Sequence, residues 1–133
     1  MKHLWTILCG RLLVDEQSKN ASLIDIIEEL KVKEEFLKDK KQIPVFLNLV
    51  SLWSIENEID TEQETKVLIE FNDPSQNKLS DFEFSFTPPK RKKRIRTNIQ
   101  FPKMDINGSG TYTIKIKQGD KIVAEVPLEI LIV

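Results

Sequence analysis

Histidine and cysteine are almost missing from this chain: His3 and Cys9 stand alone among 133 residues. A Ser-His-Asp or Cys-His couple needs a well-placed imidazole. His3, so close to the first residue, is expected to be mobile. Structural zinc needs clustered Cys and His ligands, which one of each cannot supply. A single cysteine also forbids an intrachain disulfide, which fits a reducing compartment. Cys9 lies in an apolar run and reads as a buried, inert thiol, whereas a nucleophile would want a histidine or cationic neighbour to lower its pKa. Glycine is scarce too, with four residues. Gly108 and Gly110 lack the following helix and the Lys-Ser/Thr pair of a phosphate loop.

Net charge is close to zero, at −1, so the chain as a whole attracts neither nucleic acid nor anionic lipid. No apolar run reaches membrane-spanning length. The segment from Leu4 to Cys9 follows Lys2 and superficially resembles a targeting sequence. It is too short for a secretory core, Arg11 interrupts it, and no small-residue cleavage site follows. Leu8 is not the small residue that a lipoprotein site would place before the cysteine. A cytoplasmic location is expected. With 40% hydrophobic and 31% charged residues, the chain suits one globular domain over residues 1–133, large enough to bury a core without staples.

What is present is alternation. Tyr112, Ile114 and Ile116 share one parity, and Thr111, Thr113, Lys115 and Lys117 the other. That is a strand with one dry and one wet face. Gln118, Gly119, Asp120 and Lys121 supply a turn. The returning strand puts Ile122, Ala124, Val126, Leu128, Ile130 and Ile132 on one side, leaving Val123 and Leu131 on the other. Phe82, Phe84 and Phe86 alternate with polar residues until Pro88 and Pro89. Ile95, Thr97, Ile99 and Phe101 do so until Pro102, which is expected to end that strand. Val67, Ile69 and Phe71 precede a turn at Asn72, Asp73, Pro74 and Ser75. Residues 43–54 are nearly all apolar, as in a strand covered on both faces or capped by a neighbouring segment, with Pro44 at its start. Residues 21–28 read two ways. Ser22 could cap a helix bearing Leu23, Ile26, Ile27 and Leu30, or Ile24 and Ile26 could alternate in a strand paired with residues 4–14. The β context favours the strand. Residues 29–41 are charged, with room for a helical turn.

These segments predict an all-β, antiparallel sandwich of about eight strands, immunoglobulin-like or C2-like. Tyr112, at the start of its strand, occupies the place of a tyrosine corner, with a plain core aromatic as the alternative.

Three stretches carry a resemblance: residues 9–30 (CGRLLVDEQSKNASLIDIIEEL), the apolar strand led by Pro44, and Gly110-Thr111-Tyr112 with Val126-Pro127-Leu128. Together they resemble small bacterial β-sandwich proteins known only as a domain of unknown function. The resemblance implies an immunoglobulin-like or C2-like sandwich, no established activity, and a strand at residues 21–28. It carries over no functional residues.

One local feature stands out. Lys90, Arg91, Lys92, Lys93, Arg94 and Arg96 place six cations within seven positions. Such a run can neutralise phosphates, meet an acidic protein, or simply keep an edge strand from pairing with other chains. Aromatics interleaved for base stacking are missing. Glu56, Glu58, Asp60, Glu62 and Glu64 form an acidic connection that could face the basic run within one molecule or between two. They are also the obvious pool for a carboxylate-only active site, the least favoured reading. Calcium is disfavoured, for want of a second aspartate-rich loop. The expectation is a non-catalytic binding module without cofactor or metal. Its partner is a protein, with a second copy of the chain among the candidates. Nucleic acid is the weaker alternative, and no membrane partner is expected.

Overall fold

A computed structural model describes residues 1–37 and 42–133 of the chain. Nine strands form among them: β1 (Lys2–Val14), β2 (Ala21–Ile26), β3 (Glu29–Val32), β4 (Gln42–Ser54), β5 (Thr65–Asn72), β6 (Lys78–Phe86), β7 (Arg94–Asp105), β8 (Gly110–Gln118) and β9 (Lys121–Ile132). They make two sheets, one in the order β2-β1-β4-β7 and one in the order β3-β9-β8-β5-β6. The two sheets pack face to face, an all-β sandwich as the alternation predicts. Between them lie Leu8, Leu49 and Trp53 from the first sheet and Val67, Ile69, Tyr112, Ile114, Ile116, Leu128 and Ile130 from the second, each at most 2% exposed. Trp53 donates its indole N–H to Thr97 Oγ1 at 3.0 Å, which satisfies the one polar atom of that large side chain.

Residues 21–26 are a strand, paired from Cys9↔Ile26 to Val14↔Ala21. The ninth strand, β3, is the one not predicted. It has four residues in a charged stretch, and only Leu30 and Val32 mark it. It pairs parallel with β9, from Glu29↔Glu129 to Val32↔Ile132, so the second sheet is not wholly antiparallel. The helical turn allowed for residues 29–41 is a 3-10 turn at Glu34–Leu37, and the rest of that stretch, 38–41, lies outside the described residues.

Four expectations need correction. β7 does not stop at Pro102 but continues to Asp105, because β7 is an edge strand and a missing N–H costs an edge little. In β9 the inward parity breaks near its start. The pairing shifts between Ile116↔Ala124 and Lys117↔Ile122, and the extra residue turns Val123 toward the core while Ile122 is 44% exposed. Val123, Leu68 and Leu131 are all part-buried, so they do not form the exposed apolar area their parity suggests. His3 is not mobile. It pairs with Trp53 across β1 and β4, meets its indole edge-on with ring centroids 5.2 Å apart, and shares a 2.6 Å hydrogen bond with Thr6 Oγ1.

The apolar outer face of β4 is covered around Val50, while Phe46 farther along the same face is 88% exposed. Val50 and Cys9 point away from the core, since their neighbours Leu49 and Leu8 point into it, yet both are 0% exposed. β1 leaves β4 after Cys9↔Asn48 and turns at Gly10. Run straight from Trp5 to Val14, a strand would advance about 30 Å. Instead the Arg96 guanidinium, which sits level with Trp5 through Leu52, donates to the Lys19 carbonyl at 3.4 Å. The β1–β2 hairpin therefore folds back over its own sheet as an arm. The thiol of Cys9 lies at the bend and donates to the Arg11 carbonyl at 3.5 Å.

Candidate functional site

Two connections cross from one sheet to the other at the same end of the sandwich. β4 pairs with β7 and β5 pairs with β6, so the β4–β5 loop and the β6–β7 loop must run side by side. Their flanking pairs are Ser54↔Arg94 and Thr65↔Phe86. The Ile55 N–H donates to the Lys93 carbonyl at 2.8 Å and joins the two loops. The β4–β5 loop is the acidic connection and the β6–β7 loop the basic one. Opposite charges thus form neighbouring stripes.

The basic loop is built from its prolines. Pro88 is buried and anchors the chain after β6, while Pro89 and the residues beyond it are exposed. The backbone then turns through Arg91, whose φ of 68° is the left-handed conformation of a tight turn. Lys90, Arg91, Lys92, Lys93 and Arg94 are all exposed; Arg96 is part-buried and held on the Lys19 carbonyl. Edge protection accounts for Arg94 and Arg96, which lie on edge strand β7. It does not account for the four cations of the turn, which are on no strand. Among the described residues, none of the six has a carboxylate oxygen within 4.0 Å. Elsewhere cations do find partners, as in Lys78–Asp81 at 2.8 Å and Lys117–Glu70 at 2.9 Å.

The acidic loop folds into a 3-10 turn at Glu58–Thr61. Asp60 organises it. Its carboxylate accepts the Glu56 N–H at 2.9 Å, the Asn57 N–H at 3.3 Å and the Met1 amine at 3.2 Å. Burial pushes its pKa up, but those hydrogen bonds and the amine's charge outweigh that, and the net direction is down. Asp60 is therefore a structural carboxylate. Glu64 accepts the Ser85 hydroxyl from β6. Glu56, Glu58 and Glu62 are exposed, and Ile59 between them is 55% exposed.

The groups that could carry other chemistry lie apart. Burial pushes the Cys9 thiol up, away from the reactive thiolate. Burial lowers His3. Among the described residues no group of three or more His, Cys, Asp or Glu side chains is placed to hold a metal ion. No described helix is long and apolar enough to cross a membrane.

The opposite end of the sandwich holds a polar knot that the sequence showed only in part. The Tyr112 hydroxyl donates to the Gly108 carbonyl at 2.7 Å and accepts the Asn107 N–H at 2.9 Å. This is a tyrosine corner. Beside it Asp73 accepts the Ser75 N–H at 2.9 Å, the Asn77 N–H at 2.8 Å and the Asn107 side-chain amide at 2.7 Å. Its spacing marked Asp73 as a turn residue, but the partner thirty-four positions away was not readable.

No family model matches the chain, and no curated protein matches it in sequence. Among solved structures, an immunoglobulin-like protein from Pseudomonas aeruginosa is similar over 96% of this chain and 97% of its own, with 14% identity and a TM-score of 0.41. At that score the likeness carries no argument about function, and the sandwich rests on the strand order and register above.

Proposed function

We propose that the chain is a non-catalytic interaction module, akin to the bacterial β-sandwich domains its sequence resembles, that binds protein through the cationic turn at residues 90–94. One observation carries this reading. Four exposed cations sit on a turn anchored by Pro88, Arg94 lies exposed beside them at the start of β7, and none of the five has a carboxylate in contact among the described residues. A turn that gathers cations at one place suits an acidic protein surface, because complementary charge steers the encounter and fixes its register. No metal, cofactor or catalytic residue belongs to this reading, and the lone buried thiol agrees with a reducing compartment. Nucleic acid is less favoured: Phe86 leans on Trp53 with ring centroids 6.1 Å apart, so it is not free to stack on bases.

The test is retention on immobilised polyglutamate and on immobilised DNA, with the chain and with a variant carrying Lys92→Gln, Lys93→Gln and Arg94→Gln. Retention by polyglutamate that the triple variant loses supports the reading. Stronger retention by DNA with a steep salt dependence would replace it with the nucleic-acid reading.

A further inference from the structure

We infer that the acidic surface this turn meets is the acidic loop of a second copy of the same chain, in a two-fold dimer joined end to end. This deepens the protein-binding reading and rests on it. The argument is geometric. The basic and acidic loops are adjacent, roughly parallel stripes at one end, linked by the Ile55–Lys93 backbone bond. A two-fold axis lying between the stripes and parallel to them turns the end face over onto itself. Each basic stripe then covers the partner's acidic stripe, twice, by one operation.

Charge supports the fit. The turn contributes Lys90, Arg91, Lys92, Lys93 and Arg94; the loop contributes Glu56, Glu58, Glu62 and Glu64, all exposed. The loop's remaining carboxylate, Asp60, is already committed to the Met1 amine. Neither stripe is neutralised by ion pairing across the seam within 4.0 Å among the described residues. Ile59, 55% exposed in the middle of the acidic loop, adds apolar area at the contact. A two-fold axis in the end face but across the stripes would set basic on basic and acidic on acidic, and an axis perpendicular to the end face does not bring the two ends together. Exposed ion pairs are individually weak and screened by salt, so the dimer forms at low ionic strength and high protein concentration.

Sedimentation equilibrium at about 50 mM and about 500 mM salt tests this, because the screening length falls severalfold between them. The expected result at about 200 μM protein is twice the monomer mass at low salt and the monomer mass at high salt. Lys92→Glu with Lys93→Glu gives monomer at both, as does Glu56→Lys with Glu58→Lys. A chain carrying Lys90→Glu, Arg91→Glu, Lys92→Glu and Lys93→Glu together with Glu56→Lys, Glu58→Lys, Glu62→Lys and Glu64→Lys keeps the net charge unchanged and restores the dimer, because each stripe then carries the opposite sign and again meets its complement. All eight positions are exposed, so the fold is retained. A wild-type monomer at low salt, a dimer indifferent to salt, or a combined variant that stays monomeric overturns the inference. If polyglutamate retention survives that result, self-pairing falls and the protein-binding reading stands; if retention is lost as well, both fall.

Discussion

The side-chain amide of Asn107 donates to Asp73 Oδ2 at 2.7 Å, tying the β7–β8 corner to the β5–β6 turn. Both residues sit on connections, and the bond joins turns that are far apart in sequence. Asp73 is only 4% exposed; the Ser75 and Asn77 N–H groups serve its Oδ1, and Asn107 supplies the close donor to its Oδ2.

The Asn107 amide, together with the backbone N–H groups of Asn77 and Ser75, lowers the Asp73 pKa. A carboxyl whose folded pKa lies below its unfolded one stabilises the fold fully above the unfolded value, near pH 4, and loses that contribution as pH falls through the folded value. Asp73→Asn is therefore expected to lower stability at pH 7 and to flatten the decline of stability below about pH 4. Asp15, held low mainly by the Ser18 N–H, and Asp60 keep part of the slope. Urea unfolding at pH 7, 4 and 2.5 reads this. An identical deficit at all three values would show that charge is not the cause.

Tyr112→Phe keeps the ring, which is 1% exposed, and deletes only the hydroxyl. The Asn107 N–H then loses its acceptor and the Gly108 carbonyl its donor. The expected loss is about 1–3 kcal/mol, seen as a lower urea midpoint with an unchanged slope. A change below about 0.5 kcal/mol would mean that water replaces the hydroxyl without cost.

Gly110 opens β8 at φ +140°, where an added Cβ would stand 2.7 Å from Pro74 Cγ and 2.9 Å from Pro74 Cβ. Gly110→Ala is expected to cost about 1–3 kcal/mol from backbone strain and the clash together. Pro74→Gly removes both contacting atoms but leaves the dihedral. The double variant should therefore recover part of the loss and not all of it, measured as the coupling in a double-mutant cycle. Full additivity would assign the whole effect to φ.

Cys9 is 0% exposed at the bend of the β1–β2 arm, whose tip is held by Arg96 on the Lys19 carbonyl. Arg96→Gln should speed maleimide labelling of the thiol about 2–5-fold in native buffer, the range expected from losing one solvent-accessible hydrogen bond. Global stability should barely change. An unaltered labelling rate would show that the Arg96 bond does not hold the arm.

The alternation of Tyr112, Ile114 and Ile116, of Val67, Ile69 and Phe71, and of Ile95, Thr97 and Ile99 was sufficient to place strands and their inward faces. Side-chain direction in a strand is a local property with a period of two. The sequence also marked Asp73, Gly110 and Tyr112 as corner residues, because turn chemistry is equally local. It did not disclose β3, since four residues in parallel pairing depend on where β9 has been laid down. Nor could it show the slip at Val123 or the passage of β7 through Pro102, which are set by register and edge position.

Residues 90–96 were conspicuous as charge from the start, but charge in sequence has no direction. Whether those cations face their own acidic loop, a strand edge or solvent is decided by which sheets the flanking strands enter. Pairing of β4 with β7 and of β5 with β6 sets the two loops in parallel at one end, and that adjacency arises from contacts across the chain. Local periodicity determined the layers of this protein; long-range pairing alone decided what its loops stand beside.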